Sequence, residues 1–132
     1  MYGVFEMNKR NVSASEYNSV TEIANKYIEA LRTGNVELLS EVFYKNSVTY
    51  GTVNGELMGG IDNPTIDFIN KYGGSSEIIF HIDILAMTPT TSFVQIITEN
   101  DAIGSDCNDY LSLVKLDVGW KIIAKTFHQF DK

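Results

Sequence analysis

A hairpin pattern near the end of the chain limits most strongly what this sequence can fold into. Residues 109–130, DYLSLVKLDVGWKIIAKTFHQF, form two alternating stretches that meet at Asp117-Val118-Gly119. A glycine at the end of this three-residue connection suits a turn that requires positive φ. Both faces of the two strands carry apolar side chains, so neither face suits full contact with water. We therefore predict that one face packs on helices and that the other lies against a second copy of the chain.

Parity assigns the side chains of this hairpin to the two faces, because successive side chains of a strand point in opposite directions. The face predicted to look into the protein holds Asp109, Leu111 and His128. The face predicted to look toward the partner copy holds Tyr110, Val114 and Phe127.

Helix signals occupy the first half of the chain. Ser13 and Glu16 have the spacing of a capping box, and an apolar stripe with helical spacing follows as far as Gly34. The stripe consists of Tyr17, Val20, Ala24, Tyr27, Ile28 and Leu31. Asn35 is predicted to cap a short second helix, and Asn63-Pro64 to begin a third helix that a double glycine ends.

Strand signals fill most of the remaining chain. Residues 47–53 alternate and lead through Asn54-Gly55, a strong hairpin signal, into residues 56–58. Residues 77–87 and 92–98 are further β-rich stretches ahead of the terminal hairpin. We predict that these strands pair in an antiparallel sheet. Helices segregated from such a sheet make the fold class α+β.

The composition is that of one globular domain, residues 1–132, whose arm at residues 1–12 is predicted to close the sheet. A net charge of −7 argues against nucleic acid or an anionic membrane as a partner. No stretch resembles a signal peptide or a membrane span, so a cytoplasmic location is expected. Cys107 has no partner for an internal disulfide, and no metal-ligand spacing surrounds it. Neither a metal nor a cofactor is predicted.

This order of elements resembles the nuclear transport factor 2-like superfamily, a cystatin-like fold in which a strongly curved antiparallel sheet wraps an N-terminal helix into a cone. The resemblance covers about residues 14–130 and rests on YIEALRTGN at residues 27–35 and GWKIIAK at residues 119–125. Together with GWKIIAK, DYLSLVK at residues 109–115 is most similar to the SnoaL-like and putative lumazine-binding group. The superfamily includes isomerases, dehydratases, binding modules and assembly domains, so the resemblance implies a fold and a concave site.

Ketosteroid isomerase, a relative, holds a substrate oxygen with a tyrosine and a protonated aspartic acid and uses a second aspartate as base. The resemblance matches these first two groups to Tyr27 and Asp109. The base position falls on Gly51, so the isomerase mechanism does not carry over. In an apolar cone Asp109 would favour its neutral form and could donate a hydrogen bond to a carbonyl beside Tyr27. The alternative is that Tyr27 and Asp109 have structural roles only.

Other candidates are titratable or aromatic. His128, on the predicted inward face, could act as an acid or base, which makes Tyr27, Asp109 and His128 the catalytic candidates. His81 is expected to be a partly exposed residue of the sheet. The residues predicted to line the ligand site are Tyr27, Phe43, Tyr50, Asp109, Leu111, Trp120 and His128.

We predict that the protein binds a small apolar or aromatic molecule inside the cone and forms a homodimer through the outer sheet face. One alternative is an isomerase- or dehydratase-like enzyme acting next to a carbonyl. Another is a non-catalytic dimerisation or accessory module. An open cavity reaching Tyr27 and Asp109 would favour ligand binding. A cone closed by Phe43, Tyr50 and Trp120 would favour the accessory module.

Overall fold

A computed structural model describes residues 12–132 of the chain, so the strand expected from the N-terminal arm lies outside the described residues. The helices of the described part are α1 (Ala14–Thr33), α2 (Val36–Val42) and α3 (Pro64–Tyr72). Its strands are β1 (Phe43–Val53), β2 (Glu56–Gly60), β3 (Ile79–Met87), β4 (Thr91–Glu99), β5 (Cys107–Leu116) and β6 (Gly119–Gln129). None of these helices is long and apolar enough to cross a membrane.

Each helix begins where its capping residue predicts. The Ser13 hydroxyl accepts a hydrogen bond from the backbone amide of Glu16 at 3.3 Å. The Glu16 carboxylate does not complete the capping box; it bonds the Lys115 ammonium on β5 at 2.7 Å instead. The side chains of Asn35 and Asn63 accept hydrogen bonds from backbone amides at the starts of α2 and α3. Satisfying these otherwise unpaired amides fixes the helix starts, as the sequence indicates.

The strands form a curved, unclosed sheet in the order β2-β1-β6-β5-β4-β3. Every neighbouring pair is antiparallel except β1 and β6, which run parallel. The expected α+β fold is confirmed, but the expectation of a purely antiparallel sheet is wrong at this pair. A parallel pair needs a long connection, and here α3 and the four intervening strands supply it.

The core lies between the sheet and one side of α1. The buried stripe of this helix consists of Val20, Ala24, Tyr27, Ile28, Ala30 and Leu31. It packs with inward residues of β4, β5 and β6, including Ile96, Leu111 and Ile122. Burying each large aliphatic side chain favours folding by roughly 1.5–3 kcal/mol, so this stripe holds α1 against the sheet.

The terminal hairpin forms as predicted, with Gly119 at φ 111° after the turn, but it contains an irregularity. Ser112 of β5 lies opposite Ala124, whereas the next residue, Leu113, lies opposite Ile122. Ile123 is therefore an extra residue in β6, which makes this a β-bulge. Because a strand alternates its faces, one extra residue reverses the direction of every side chain beyond it.

The bulge corrects two predictions about the faces of β6. Phe127, expected on the outer face, lines the interior together with Lys125 and Gln129. His128, expected inside, is exposed on the outer face, where its Nδ1 lies 3.0 Å from the hydroxyl of Thr52. The parity argument holds for β5, where Asp109 and Leu111 are buried.

Candidate functional site

The site is centred on a hydrogen bond between α1 and β5. Tyr27 projects from the buried stripe of α1, and its hydroxyl donates to Oδ2 of Asp109 at 2.7 Å. Both side chains are buried. Burial, and then the charge and hydrogen bond of Asp109, raise the pKa of Tyr27 well above its usual value near 10. Tyr27 therefore remains a protonated donor, and this bond orients the carboxyl group of Asp109.

A third group, Lys125, joins this pair because of the bulge in β6. Its ammonium lies 3.8 Å from Asp109 Oδ2 and 3.1 Å from the hydroxyl of Thr65 on α3. It also lies over the rings of Tyr27 and Phe127, 5.3 Å from each centroid. A buried ammonium is unfavourable unless paired with a negative charge, and Asp109 is that partner. The geometry therefore favours an accepting carboxylate at Asp109 over the neutral donor expected from the sequence.

Tyr27, Asp109 and Lys125 lie together in the lining of a cavity of about 380 Å³, and the part of the cavity that they form is called its polar end below. Much of the remaining wall is apolar and comes from α1, β1, α3 and β6, with Leu31, Val53, Phe68 and Phe127 among its members. A ligand in this cavity would be enclosed by apolar walls and would meet polar groups at one end.

Three residues predicted to line the site belong to the core instead. Phe43, Leu111 and Trp120 are buried, and none of them lines the cavity. Phe43 packs edge-on against Tyr27, with ring centroids 5.9 Å apart. Because neither Phe43 nor Trp120 is part of the lining, these two aromatic side chains do not close the cavity. An open cavity is the feature expected of a ligand-binding cone, whereas an accessory module would have a cone filled by its own side chains.

Two further predicted residues, Tyr50 and His128, lie on the outer face. Tyr50 is 42% exposed, and it alternates with the inward-facing Thr49 and Gly51 along β1. His81 is also on the outer face, beside Asp83. Of the predicted lining residues, only Tyr27 and Asp109 reach the cavity.

Gly51 shows why this chain has no base at the position where the related isomerase has one. A Cβ atom on Gly51 would lie 2.5 Å from Cγ of Phe127 and 2.3 Å from the Phe127 carbonyl oxygen. Such an overlap is not tolerated, so any side chain here would displace the neighbouring strand. The aromatic ring of Phe127 takes the space, and its face contacts the Lys125 ammonium.

Two small side chains complete the polar end. The hydroxyl of Thr49 is buried and forms no hydrogen bond within residues 12–132. Cys107 also lines the cavity, and burial, followed by the charges of Asp109 and Asp101, raises the pKa of its thiol to about 12. Cys107 is therefore a protonated thiol at neutral pH and a poor nucleophile. Within the described residues, no three His, Cys, Asp or Glu side chains are grouped to hold a metal ion.

Comparison with known proteins agrees with this architecture. The family described as Putative lumazine-binding matches residues 15–128. Aldolase FrzH from Cladobotryum sp. is 34% identical over 123 residues, which are 93% of this chain and 98% of that protein. An NTF2-like protein of unknown function from Methylobacillus flagellatus KT is 28% identical, with a TM-score of 0.84 over 92% of this chain and 97% of that one.

Another NTF2-like protein of unknown function, from Shewanella baltica OS155, is 23% identical and has the same fold. Its TM-score is 0.83 over 92% of this chain and 100% of that one. The chain therefore belongs to the Putative lumazine-binding family within the nuclear transport factor 2-like superfamily. The resemblance stated from the sequence is confirmed.

Proposed function

We propose that the protein binds a small, mostly apolar carbonyl compound in the cavity and catalyses aldol-type chemistry on it. The observation that carries this proposal is the buried Tyr27–Asp109–Lys125 cluster at the end of an open cavity. The cluster combines a carboxylate that can take a proton with a cation that can hold the resulting oxyanion. The similarity to a protein named an aldolase supports the same reaction class.

Ligand binding is the first part of the proposal. The cavity volume of about 380 Å³ falls within the range of small-molecule sites, which is roughly 300–1,000 Å³. Its apolar wall supplies affinity for a hydrocarbon or aromatic body, and its polar end orients the carbonyl group. The filled cone of an accessory module is disfavoured because the core aromatics leave the cavity open.

The proposed reaction assigns roles to Asp109, Lys125 and Tyr27. The Asp109 carboxylate removes a proton from the carbon next to the ligand carbonyl, and the C–H electron pair forms a carbon–carbon double bond. The carbonyl π electrons move to oxygen, and the Lys125 ammonium stabilises the resulting enolate. The enolate carbon then attacks a second carbonyl carbon, and the proton on Asp109 passes to the new alkoxide. The Tyr27 hydroxyl donates a hydrogen bond to Oδ2 of Asp109, so the other carboxylate oxygen, Oδ1, is the one that takes the proton.

Hydrogen–deuterium exchange at carbon tests this function. 4-Phenylbutan-2-one in D₂O should lose the proton NMR signals next to its carbonyl faster with the protein than without it. Asp109→Asn should reduce this rate by roughly 100-fold or more, because it removes the general base. His128→Ala is the matched control and should leave the rate unchanged, since His128 lies on the outer face.

If the ketone binds but its protons do not exchange, the proposed reaction is wrong and only the ligand-binding part of the proposal stands. Ligand-induced shifts in the protein's own NMR spectrum, recorded in the same samples, separate these two results. Loss of exchange in His128→Ala would contradict the assignment of the base.

We also propose that the outer face of the sheet pairs with a second copy of the chain. Phe93 and Ile97 of β4 are exposed there. The Phe93 ring stacks on Tyr110 of β5 with centroids 5.6 Å apart and planes 8° apart, which makes a flat aromatic patch. Sedimentation velocity should show a dimer at micromolar concentration and a monomer for Phe93→Glu. A monomeric wild-type protein at that concentration would refute the pairing.

A further inference from the structure

We infer that the ligand is uncharged at its polar end and presents two oxygens, one to Lys125 and one to Thr49. A β-hydroxy ketone or a 1,3-diketone has this arrangement. The inference rests on the proposed function and narrows its substrate class. It excludes keto acids, whose carboxylate would have to enter the same end of the cavity.

The first reason for an uncharged ligand group is the net charge at the polar end of the cavity. Asp109 and Lys125 are buried groups of opposite sign, 3.8 Å apart, so together they leave the end of the cavity electrically neutral. In the part of the chain that the structure describes, the other charged side chains of the lining are Asp67, Lys71 and Asp101, and all three are exposed or partly exposed. A ligand carboxylate at the buried end would therefore add an uncompensated negative charge, which is strongly unfavourable.

The reason for a second ligand oxygen is the hydroxyl of Thr49. Among residues 12–132, three threonines line the cavity, and the hydroxyls of two have partners: Thr65 accepts from Lys125, and Thr98 donates to the carbonyl of Cys107. Thr49 is 2% exposed, and its Oγ1 has no partner within residues 12–132. An unpaired buried hydroxyl destabilises the fold unless something bonds to it. Rotation about χ1 exchanges the hydroxyl and the methyl group of Thr49, and this turn presents the hydroxyl to a ligand in the cavity.

Strand pairing places the backbone of Thr49 beside that of Lys125. Thr49 on β1 and Lys125 on β6 are direct partners in the parallel pair, and both line the cavity. Adjacent strands are about 4.8 Å apart, so the two side chains project from neighbouring points. A ligand whose carbonyl and hydroxyl groups are separated by one carbon can contact both at once. The hydroxyl of Thr49 donates and accepts, so it suits either a second hydroxyl or a second carbonyl.

Calorimetric titration with three related probes tests the inference. The first probe, 4-hydroxy-4-phenylbutan-2-one, has both oxygens, and the second, 4-phenylbutan-2-one, has the ketone alone. In the third, 4-hydroxy-2-oxo-4-phenylbutanoate, a carboxylate replaces the methyl group. We expect the hydroxy ketone to bind roughly tenfold more tightly than the ketone, which is the effect of one well-placed hydrogen bond. We expect the carboxylate probe to bind most weakly.

Thr49→Val removes the hydroxyl at nearly constant size. It should abolish the preference for the hydroxy ketone and raise the melting temperature of the ligand-free protein. Thr98→Val is the matched control, because its hydroxyl already has a partner in the same cavity. This control should keep the preference for the hydroxy ketone.

The possible failures are distinguishable. If the preference survives in Thr49→Val, or if the carboxylate probe binds most tightly, the inference is overturned. The proposed function still stands in that case when Asp109-dependent deuterium exchange is observed. If wild-type protein neither binds the probes nor catalyses exchange, the proposed function fails and the inference fails with it.

Discussion

The two faces of the sheet each hold a carboxylate beside a basic side chain, and the two pairs differ in almost every physical respect. On the outer face, Nε2 of His81 lies 3.1 Å from Asp83, and the side chains are 66% and 49% exposed. On the inner face, Lys125 lies 3.8 Å from Asp109, and the side chains are 10% and 5% exposed. The shorter contact is therefore the weaker one, because water screens it.

Burial, more than distance, thus decides which pair matters for folding and for chemistry. Removing one member of the inner pair leaves a charge without its partner in an apolar environment, whereas water solvates what remains of the outer pair. In the function that we propose, the same low polarity strengthens the action of the inner groups on a bound carbonyl. The inner pair is where we expect large effects of mutation, and the following predictions test that contrast.

The largest expected effect is on the inner pair. Lys125→Met should lower the free energy of unfolding by about 3 kcal/mol, because Asp109 loses its buried counterion. Urea denaturation of Lys125→Met, Asp109→Asn and the double variant measures the coupling between the two side chains. The double variant should lose clearly less than the sum of the single losses. Additive losses would mean that the two charges do not interact, and the contrast between the faces would disappear.

Tyr27→Phe should have the next largest effect. It removes the hydroxyl that donates to Asp109 at 2.7 Å and changes little else in the core. Hydrogen bonds to charged groups contribute about 2 kcal/mol, so the free energy of unfolding should fall by that amount. Tyr50→Phe is the matched control, because Tyr50 lies on the outer face, and it should change stability by less than about 0.5 kcal/mol. Equal effects of the two substitutions would contradict the assignment of the inner bond.

The thiol of Cys107 should make the free energy of unfolding depend on pH in the alkaline range. Burial and then Asp109 raise the pKa of Cys107 from 9.0 to about 12. Between these values the unfolded thiol has lost its proton and the folded thiol has kept it, so the free energy of unfolding falls as pH rises. Cys107→Ala should weaken this fall in chemical denaturation between pH 9 and pH 11. Tyr27 acts in the same direction above pH 10 in both proteins, so their difference isolates Cys107. Parallel curves would refute the burial of the thiol.

The smallest expected effect is on the outer pair. His81→Ala should change the free energy of unfolding by less than about 0.5 kcal/mol, since both side chains are solvated. Urea denaturation measures this change. A loss as large as that of Lys125→Met would contradict the contrast between the two faces. The proposed dimer would bury the outer pair, so the measurement is made at protein concentrations below dimerisation.

Features that depend on neighbouring residues could be predicted from the sequence. Ser13, Asn35 and Asn63 cap their helices as expected, because a cap bonds amides only two or three residues away. The contact of Tyr27 with Asp109 was suggested by the resemblance to a family, since 82 positions separate the two residues.

The bulge at Ile123 could not be predicted, and Lys125 was missed for that reason. The residues around it, KIIAK, all fit a strand, and no glycine or proline marks an interruption. The only local hint is the pair of adjacent apolar residues Ile122 and Ile123, which breaks strict alternation. The parallel pairing of β1 with β6 was missed for a related reason. Pairing partners and register depend on packing between distant segments, which alternation within one strand does not specify.

The bulge also has an evolutionary consequence. The extra residue at position 123 is absorbed by the bulge, and the pairing on both sides of it is regular. Deleting that one codon would therefore restore strict alternation in β6 and leave Lys125 and Phe127 facing the cavity. The length of β6 can thus change by one residue at this point without changing which side chains reach the site.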